Sequence, residues 1–263
     1  MDGVLIAILI VGGVGLFVGI FLGIAGIFFK VESDPKVEAI TEALPGNNCG
    51  GCGYAGCSNL AEAIAKGEAP VNQCPVGGAK VGAKIAAIMG VDAEDSIRMR
   101  AYVACHGTPD QTQELYEYTG VKDCAMVGYV PSKGAKSCGF GCTGFGNCVK
   151  ACLFDAIHVV NGVAVVDAEK CKACGKCVAA CPRHLISMIP YGKVTVVGCS
   201  SCDKGPVTMK ACKVGCIGCG ICMKNCPSGA VKVENFHAII DQEKCTHCGL
   251  CAEKCPKKCI ELL

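Results

Sequence analysis

Between Cys216 and Cys226 the chain reads C-I-G-C-G-I-C-M-K-N-C, with Pro227 directly behind. Three thiols this close are far better suited to wrapping a compact inorganic centre than to pairing off as disulfides. Glycines 218 and 220 let the backbone fold tightly and leave N–H groups free for sulfur. The same spacing returns at Cys171-x2-Cys174-x2-Cys177-x3-Cys181-Pro182 and Cys245-x2-Cys248-x2-Cys251-x3-Cys255-Pro256. The rest of the chain repeats units of this kind.

Cysteine supplies 26 of the 263 residues. In a short secreted chain that share would suggest disulfides; the tight repeated runs argue for iron–sulfur clusters. Zinc is the other alternative. Its sites favour paired C-x2-C knuckles or histidine, and the five histidines hold no repeated offset from the cysteines. Labile clusters imply a reducing compartment. Tryptophan is absent and aromatic residues make up 5%, so clusters are expected to stand in for part of the core. The net charge of +2 says little, but lysines dominate between Val130 and Lys232. They read either as a solvated face that offsets cluster charge or as a dock for an acidic partner.

Val4 to Phe29 carries no charge and is long enough to cross the hydrocarbon layer, which needs about 20 apolar residues. A signal peptide would want a basic start and a small-residue cleavage site. A retained single-pass helix over 1–30 is therefore expected, in the cell (inner) membrane. Lys30 and Lys36 behind it place the bulk of the chain in the cytoplasm. Gly15, Gly19 and Gly23 lie four apart, a spacing that admits a close partner helix.

A charged connector, Val31 to Glu38, leads into a small helical domain over 31–95. Cys49, Cys52, Cys57 and Cys74 form a C-x2-C-x4-C-x16-C set suited to one [4Fe–4S] cluster. Helices are expected over Asn59–Lys66 and Gly77–Met89, and a strand over Ile97–Cys105 in a linking segment, 96–130. Cys105 and Cys124 in that segment read as cluster ligands or as buried thiols, and His106 as structural. Gly139-x-Gly141-x2-Gly144 matches a nucleotide fingerprint, but no βαβ context surrounds it; cluster wrapping accounts for it better.

Two modules follow, over 131–195 and 196–263. In each, two cysteine runs flank a hairpin. Ile157–Val160 and Val163–Val166 enclose Asn161-Gly162, a type I′ turn signal; Ala230–Val233 and Ala238–Ile240 enclose a longer turn. This order resembles the bacterial two-cluster ferredoxins, in which the fourth cysteine of each run serves the other cluster. The resemblance implies the ligand sets Cys216, Cys219, Cys222 with Cys255; Cys245, Cys248, Cys251 with Cys226; and Cys171, Cys174, Cys177 with Cys152. The remaining set departs from the pattern. Aligning Cys142 with Cys216 puts Phe145 where Cys219 stands. Cys138 is the expected substitute, giving Cys138, Cys142, Cys148 and Cys181. The same alignment pairs Cys138 with Cys212. Five clusters are expected, with a sixth left open among Cys105, Cys124, Cys199, Cys202, Cys212 and Cys259.

The string A-L-P…C-G-G-C-G-Y-A-G-C…A-E-A-I-A-K-G…C-P-V-G-G resembles the cluster domain of the B subunit of Rnf complexes, and a related cap occurs in corrinoid iron–sulfur proteins. With the apolar helix before it and the modules after it, the Rnf resemblance extends over nearly the whole chain. It implies an α+β, multi-cluster electron-transfer component of an ion-translocating ferredoxin:NAD oxidoreductase, without a complete active site of its own. Soluble ferredoxin would be the donor, and other membrane and peripheral subunits and the lipid bilayer the partners, with no nucleic acid. The alternatives are an anchored polyferredoxin of another redox complex, such as a hydrogenase or reductase, and a metal-stapled interaction module without redox function.

Overall fold

The computed structural model describes residues 2–28, 34–92 and 97–263. Helix α1 (Asp2–Phe28) is long enough, at about 1.5 Å per residue, to cross a layer of roughly 30 Å. Its Ile8–Ala25 window buries nothing against the rest of the chain. This apolar surface is therefore available to lipid or to another helix. Lys30, half of the orientation signal, lies outside the described residues, as does connector 31–33.

The small domain holds three helices. The stretch expected to be a connector instead starts α2 (Pro35–Ala43): Asp34 Oδ1 accepts the Lys36 N–H at 2.9 Å, and Pro35 takes the first helical turn. Ile40 of α2 is fully buried against Leu60 and Ile64 of α3 (Cys57–Ala65) and Ile85 of α4 (Gly78–Met89). Helix α3 begins at Cys57, two residues before the expected start, and the Cys57 N–H donates to Asn48 Oδ1 at 2.8 Å. A potential ligand thus opens the helix.

Segment 96–130 is more than a link. Its strand β1 (Met99–Val103) pairs antiparallel with β4 (Ile186–Pro190), with Val103 opposite Ile186. The first module therefore begins at β1, ahead of the expected boundary at 131. It continues through α5 (Asn147–Ala151), the hairpin β2 (Ile157–Val160) and β3 (Val163–Val166), and α6 (Lys176–Ala180). The second module repeats the plan. Strand β5 (Thr195–Val197) pairs with β8 (Ile260–Leu262). Between them lie α7 (Gly205–Ala211), α8 (Ile221–Lys224), the hairpin β6 (Val231–Glu234) and β7 (His237–Ile240), and α9 (Leu250–Glu253).

The repeat extends to close contacts. A Cβ at Gly144 would lie 2.8 Å from the Gly162 carbonyl oxygen, and one at Gly218 would lie 2.6 Å from that of Phe236. In each module the cysteine loop presses on the hairpin turn where only glycine fits. The second turn is shorter than expected. Asn235 and Phe236 alone close it, both at positive φ (46° and 61°), as Asn161 and Gly162 do in the first. Phenylalanine is uncommon in that backbone region, which hid the turn signal.

Candidate iron–sulfur centres

In the small domain Cys52, Cys57 and Cys74 gather beneath the helices. Burial raises the Cys74 thiol, and the neighbouring Cys52 and Cys57 add to the shift; the Gly77 N–H donates to Cys74 Sγ at 3.4 Å. Cys49 lies within electrostatic reach of Cys174 of the first module. The joint there is tight: a Cβ at Gly51 would sit 2.8 Å from the Cys174 carbonyl oxygen.

Two of the expected module sets line cavities, and part of a third lies together. Cys152, Cys171, Cys174 and Cys177 ring a cavity of about 330 Å³. Strand β1 contributes here, since the Ala101 N–H donates to Cys171 Sγ at 3.4 Å. Cys216, Cys219, Cys222 and Cys255 ring one of about 340 Å³. Cys251 lies within electrostatic reach of Cys245 and Cys226, and Cys248 of the same run is exposed. The third cysteine of each run sits in a one-turn helix: Cys148 in α5, Cys177 in α6, Cys222 in α8 and Cys251 in α9.

The fourth module set differs from expectation. Cys142, Cys148 and Cys181 ring a cavity of about 370 Å³ with Cys124, and Cys138 is not among its lining residues. Cys138 lines a separate cavity with Cys105, Cys199 and Cys212. Phe145 turns its ring onto Tyr118, centroids 5.5 Å apart, and Cys124 lines the cavity from the segment ahead. Asn147, the first residue of α5, fixes that segment: its Oδ1 accepts the Cys124 N–H at 3.1 Å, and its Nδ2 donates to Asp123 Oδ2 at 2.9 Å. Asp123 in turn accepts the N–H groups of Ala125 and Met126, and these backbone bonds, with Asn147, hold its carboxyl below the usual range. Spacing gave no hint of this. The one usable signal was the missing ligand at Phe145 beside an unassigned Cys124.

The donor sets fit iron–sulfur clusters. Among the described residues no three His, Cys, Asp or Glu side chains converge closely enough to share one ion. The cysteines instead surround cavities, as a polynuclear centre requires and a tetrahedral zinc ion does not. Burial pushes Cys148 up to about 12 and Cys177 and Cys222 up to about 11, with neighbouring thiolates adding to each. Such thiols stay protonated at neutral pH until metal displaces the proton. Cys216 and Cys226 shift the other way, Cys226 through hydrogen bonds from Ser228 and the backbone of Ala230 and Val231. A hydrogen bond from Cys259 holds the Cys216 thiol well below its usual range, and Cys259 itself is buried 3.7 Å from Cys255 Sγ.

Arg183 lies between the Cys124 and Cys138 groups. It donates to the carbonyls of Gly141 (2.5 Å), Cys138 (3.5 Å) and Lys133. Burial lowers its pKa, while the thiolates of Cys138, Cys142, Cys105 and Cys124 oppose that shift. A unit charge ~6 Å away at an effective dielectric near ~20 is worth about 3 kcal/mol. For one electron this is roughly 100 mV. Arg183→Met is therefore expected to lower the nearest cluster midpoints by tens of millivolts in an EPR-monitored redox titration. Unchanged midpoints would show that solvent screens this charge.

Known proteins share this pattern. The family described as a 4Fe-4S dicluster domain matches residues 215–259, a 4Fe-4S binding domain matches 164–187, and an Fe-S cluster family matches 44–76. The chain is 44% identical to the B subunit of the ion-translocating oxidoreductase complex of Methanosarcina acetivorans, over 100% of both chains. It is 43% identical to the B subunit of the Na(+)-translocating ferredoxin:NAD(+) oxidoreductase complex of Acetobacterium woodii, over 99% of this chain and 78% of that one. The chain belongs to the B-subunit family of Rnf complexes. It is an iron–sulfur electron-transfer subunit, and its apolar α1 agrees with membrane association. A third relative, the B subunit of the proton-translocating ferredoxin:NAD(+) oxidoreductase complex of Clostridium ljungdahlii, is 39% identical over 93% of this chain and 87% of its own. The 4Fe-4S matches stop short of Cys138 to Cys152, the run that departs from the ferredoxin pattern.

Proposed function

We propose that this chain takes electrons from soluble reduced ferredoxin on the cytoplasmic side and delivers them to membrane partners of an ion-translocating ferredoxin:NAD oxidoreductase. Bound [4Fe–4S] clusters supply one-electron transfer at low potential. The residues proposed to hold them are Cys49, Cys52, Cys57 and Cys74; Cys152, Cys171, Cys174 and Cys177; Cys124, Cys142, Cys148 and Cys181; Cys216, Cys219, Cys222 and Cys255; and Cys226, Cys245, Cys248 and Cys251. One observation carries this reading: the sets follow one another from the second module to the small domain, whose first helix follows the membrane segment. NAD chemistry and the ion path are assigned to other subunits. Relatives named for Na⁺ and for proton translocation match at similar identity, which fits an ion path lying elsewhere.

We assign the basic dock to the second module. Lys136 is committed to the carbonyls of Gly107 (2.7 Å) and Gly162 (3.2 Å), Lys170 to Asp155 (3.2 Å), and Lys213 to the Asp110 carbonyl (3.1 Å). Lys224 and Lys232 are exposed in the module that also carries Cys219 and Cys248, the two exposed cysteines. Reversing both charges (Lys224→Glu, Lys232→Glu) is expected to slow reduction by ferredoxin about tenfold at low salt and to flatten its salt dependence. Reduction by dithionite would be unchanged. Equal ferredoxin rates for both proteins would reject this dock, and copurification with a hydrogenase large subunit would replace the reading.

A further inference from the structure

We propose that Cys105, Cys138, Cys199 and Cys212 hold an additional [4Fe–4S] cluster that joins the two modules. The four cysteines ring a cavity of about 390 Å³. That matches the cavities of 330, 340 and 370 Å³ ringed by the ferredoxin-type sets. Cys105, Cys138 and Cys212 are less than a tenth exposed. Two glycines report how the sulfurs cluster. A Cβ at Gly107 would lie 3.6 Å from Cys212 Sγ and 3.7 Å from Cys105 Sγ, and one at Gly141 would lie 3.6 Å from both Cys105 and Cys138 Sγ.

The quartet is two-fold pseudosymmetric. Cys138 and Cys212 each stand four residues before the first cysteine of a run, Cys142 or Cys216. Cys105 and Cys199 each stand two residues beyond the strand that pairs with the last strand of their module. The residue before each donates its N–H to a matching carbonyl, Ala104 to Leu185 at 2.8 Å and Gly198 to Cys259 at 2.7 Å. Each module therefore contributes two equivalent thiols. A chance collection of buried cysteines would not repeat in register.

Position gives the site its role. Cys105 Sγ accepts the Cys142 N–H at 3.3 Å, and Cys199 Sγ accepts the Cys216 N–H. The quartet thus touches a ligand of the neighbouring set on either side. One electron enters from the Cys216 side and one leaves toward the Cys142 side, with no proton or bond exchanged. That role rests on the ferredoxin-oxidising reading above; the site itself does not.

The test is an iron and sulfide count on the detergent-purified full chain, reduced with dithionite so that no ferredoxin is needed. Six sites predict about 24 irons per chain, falling to about 20 in Cys138→Ala/Cys212→Ala with one EPR signal lost. Gly141→Ala guards against misfolding. Its methyl meets only ordinary contacts in the protein but faces the cluster space. It is expected to lose the same signal, keep the other five, and slow electron arrival at the first module at least tenfold in stopped-flow. Full iron in both variants, loss of the signal that depends on Cys124, or zinc in place of the four irons would each overturn the proposal. Failure of ferredoxin to reduce a chain with the full count would defeat the donor assignment instead.

Discussion

Replacing Cys124 with alanine is expected to remove one cluster from the first module, about four irons per chain, and to leave the others in place. The reason is geometric. Cys124 completes the ring around the cavity of Cys142, Cys148 and Cys181. Phe145 fills the sequence position of the ferredoxin ligand but packs on Tyr118. Cys138→Ala should leave this cluster intact, because Cys138 lines another cavity. The double variant Cys124→Ala/Phe145→Cys offers a rescue, restoring the C-x2-C-x2-C spacing of the second module. Recovery of iron and of the EPR signal would show that Phe145 and Cys124 exchanged one role. Loss of this cluster in Cys138→Ala, with none in Cys124→Ala, would sink the assignment.

Stripping iron with a chelator under reducing conditions is expected to unfold residues 97–263. Every sheet in this region has only two strands, and such pairs are marginal in water without a face to pack on. The cluster-bearing helices span four or five residues, too short to persist alone. The apolar core is itself partly thiol: Cys105, Cys148, Cys171 and Cys177 in the first module, and Cys216, Cys222, Cys251 and Cys259 in the second. Metal binding and folding are then one event. The small domain differs, with helices of 9 to 12 residues and Ile40, Leu60, Ile64 and Ile85 fully buried. Hydrogen exchange on the iron-free chain should show protection lost across both modules and partly kept in α2 to α4. Full protection of β1 and β4 without iron would contradict this.

These two results separate what local sequence encodes from what it does not. A cysteine run wraps metal through its own backbone, so its spacing announces it. The Asn161-Gly162 hairpin was legible for the same reason, since its turn chemistry lies in two residues. Helix α2 was missed because its charged start hid the Asp34-Pro35 cap. Strands β1 and β4 meet across more than 80 residues, and β5 is three residues long; neither pairing leaves a local mark. The grouping of Cys105 with Cys199, and of Cys124 with Cys142, is likewise a property of strand pairing and loop docking. Cys138 was read where the set departs from the ferredoxin pattern, from a cysteine standing four residues before Cys142, and the structure puts it around a different cavity.

The matched halves of the central quartet have a consequence for direction. Each half presents a strand-end thiol that accepts a backbone N–H from the neighbouring set. Even the cations correspond: Arg183 beside Cys138 and Lys257 beside Cys212 each follow a Cys-Pro pair. A junction built alike on both faces does not rectify. Electrons crossing it feel no preferred sense, so net current must be set at the two ends of the chain by the potentials of donor and acceptor. The same wire could then run in reverse whenever those potentials invert.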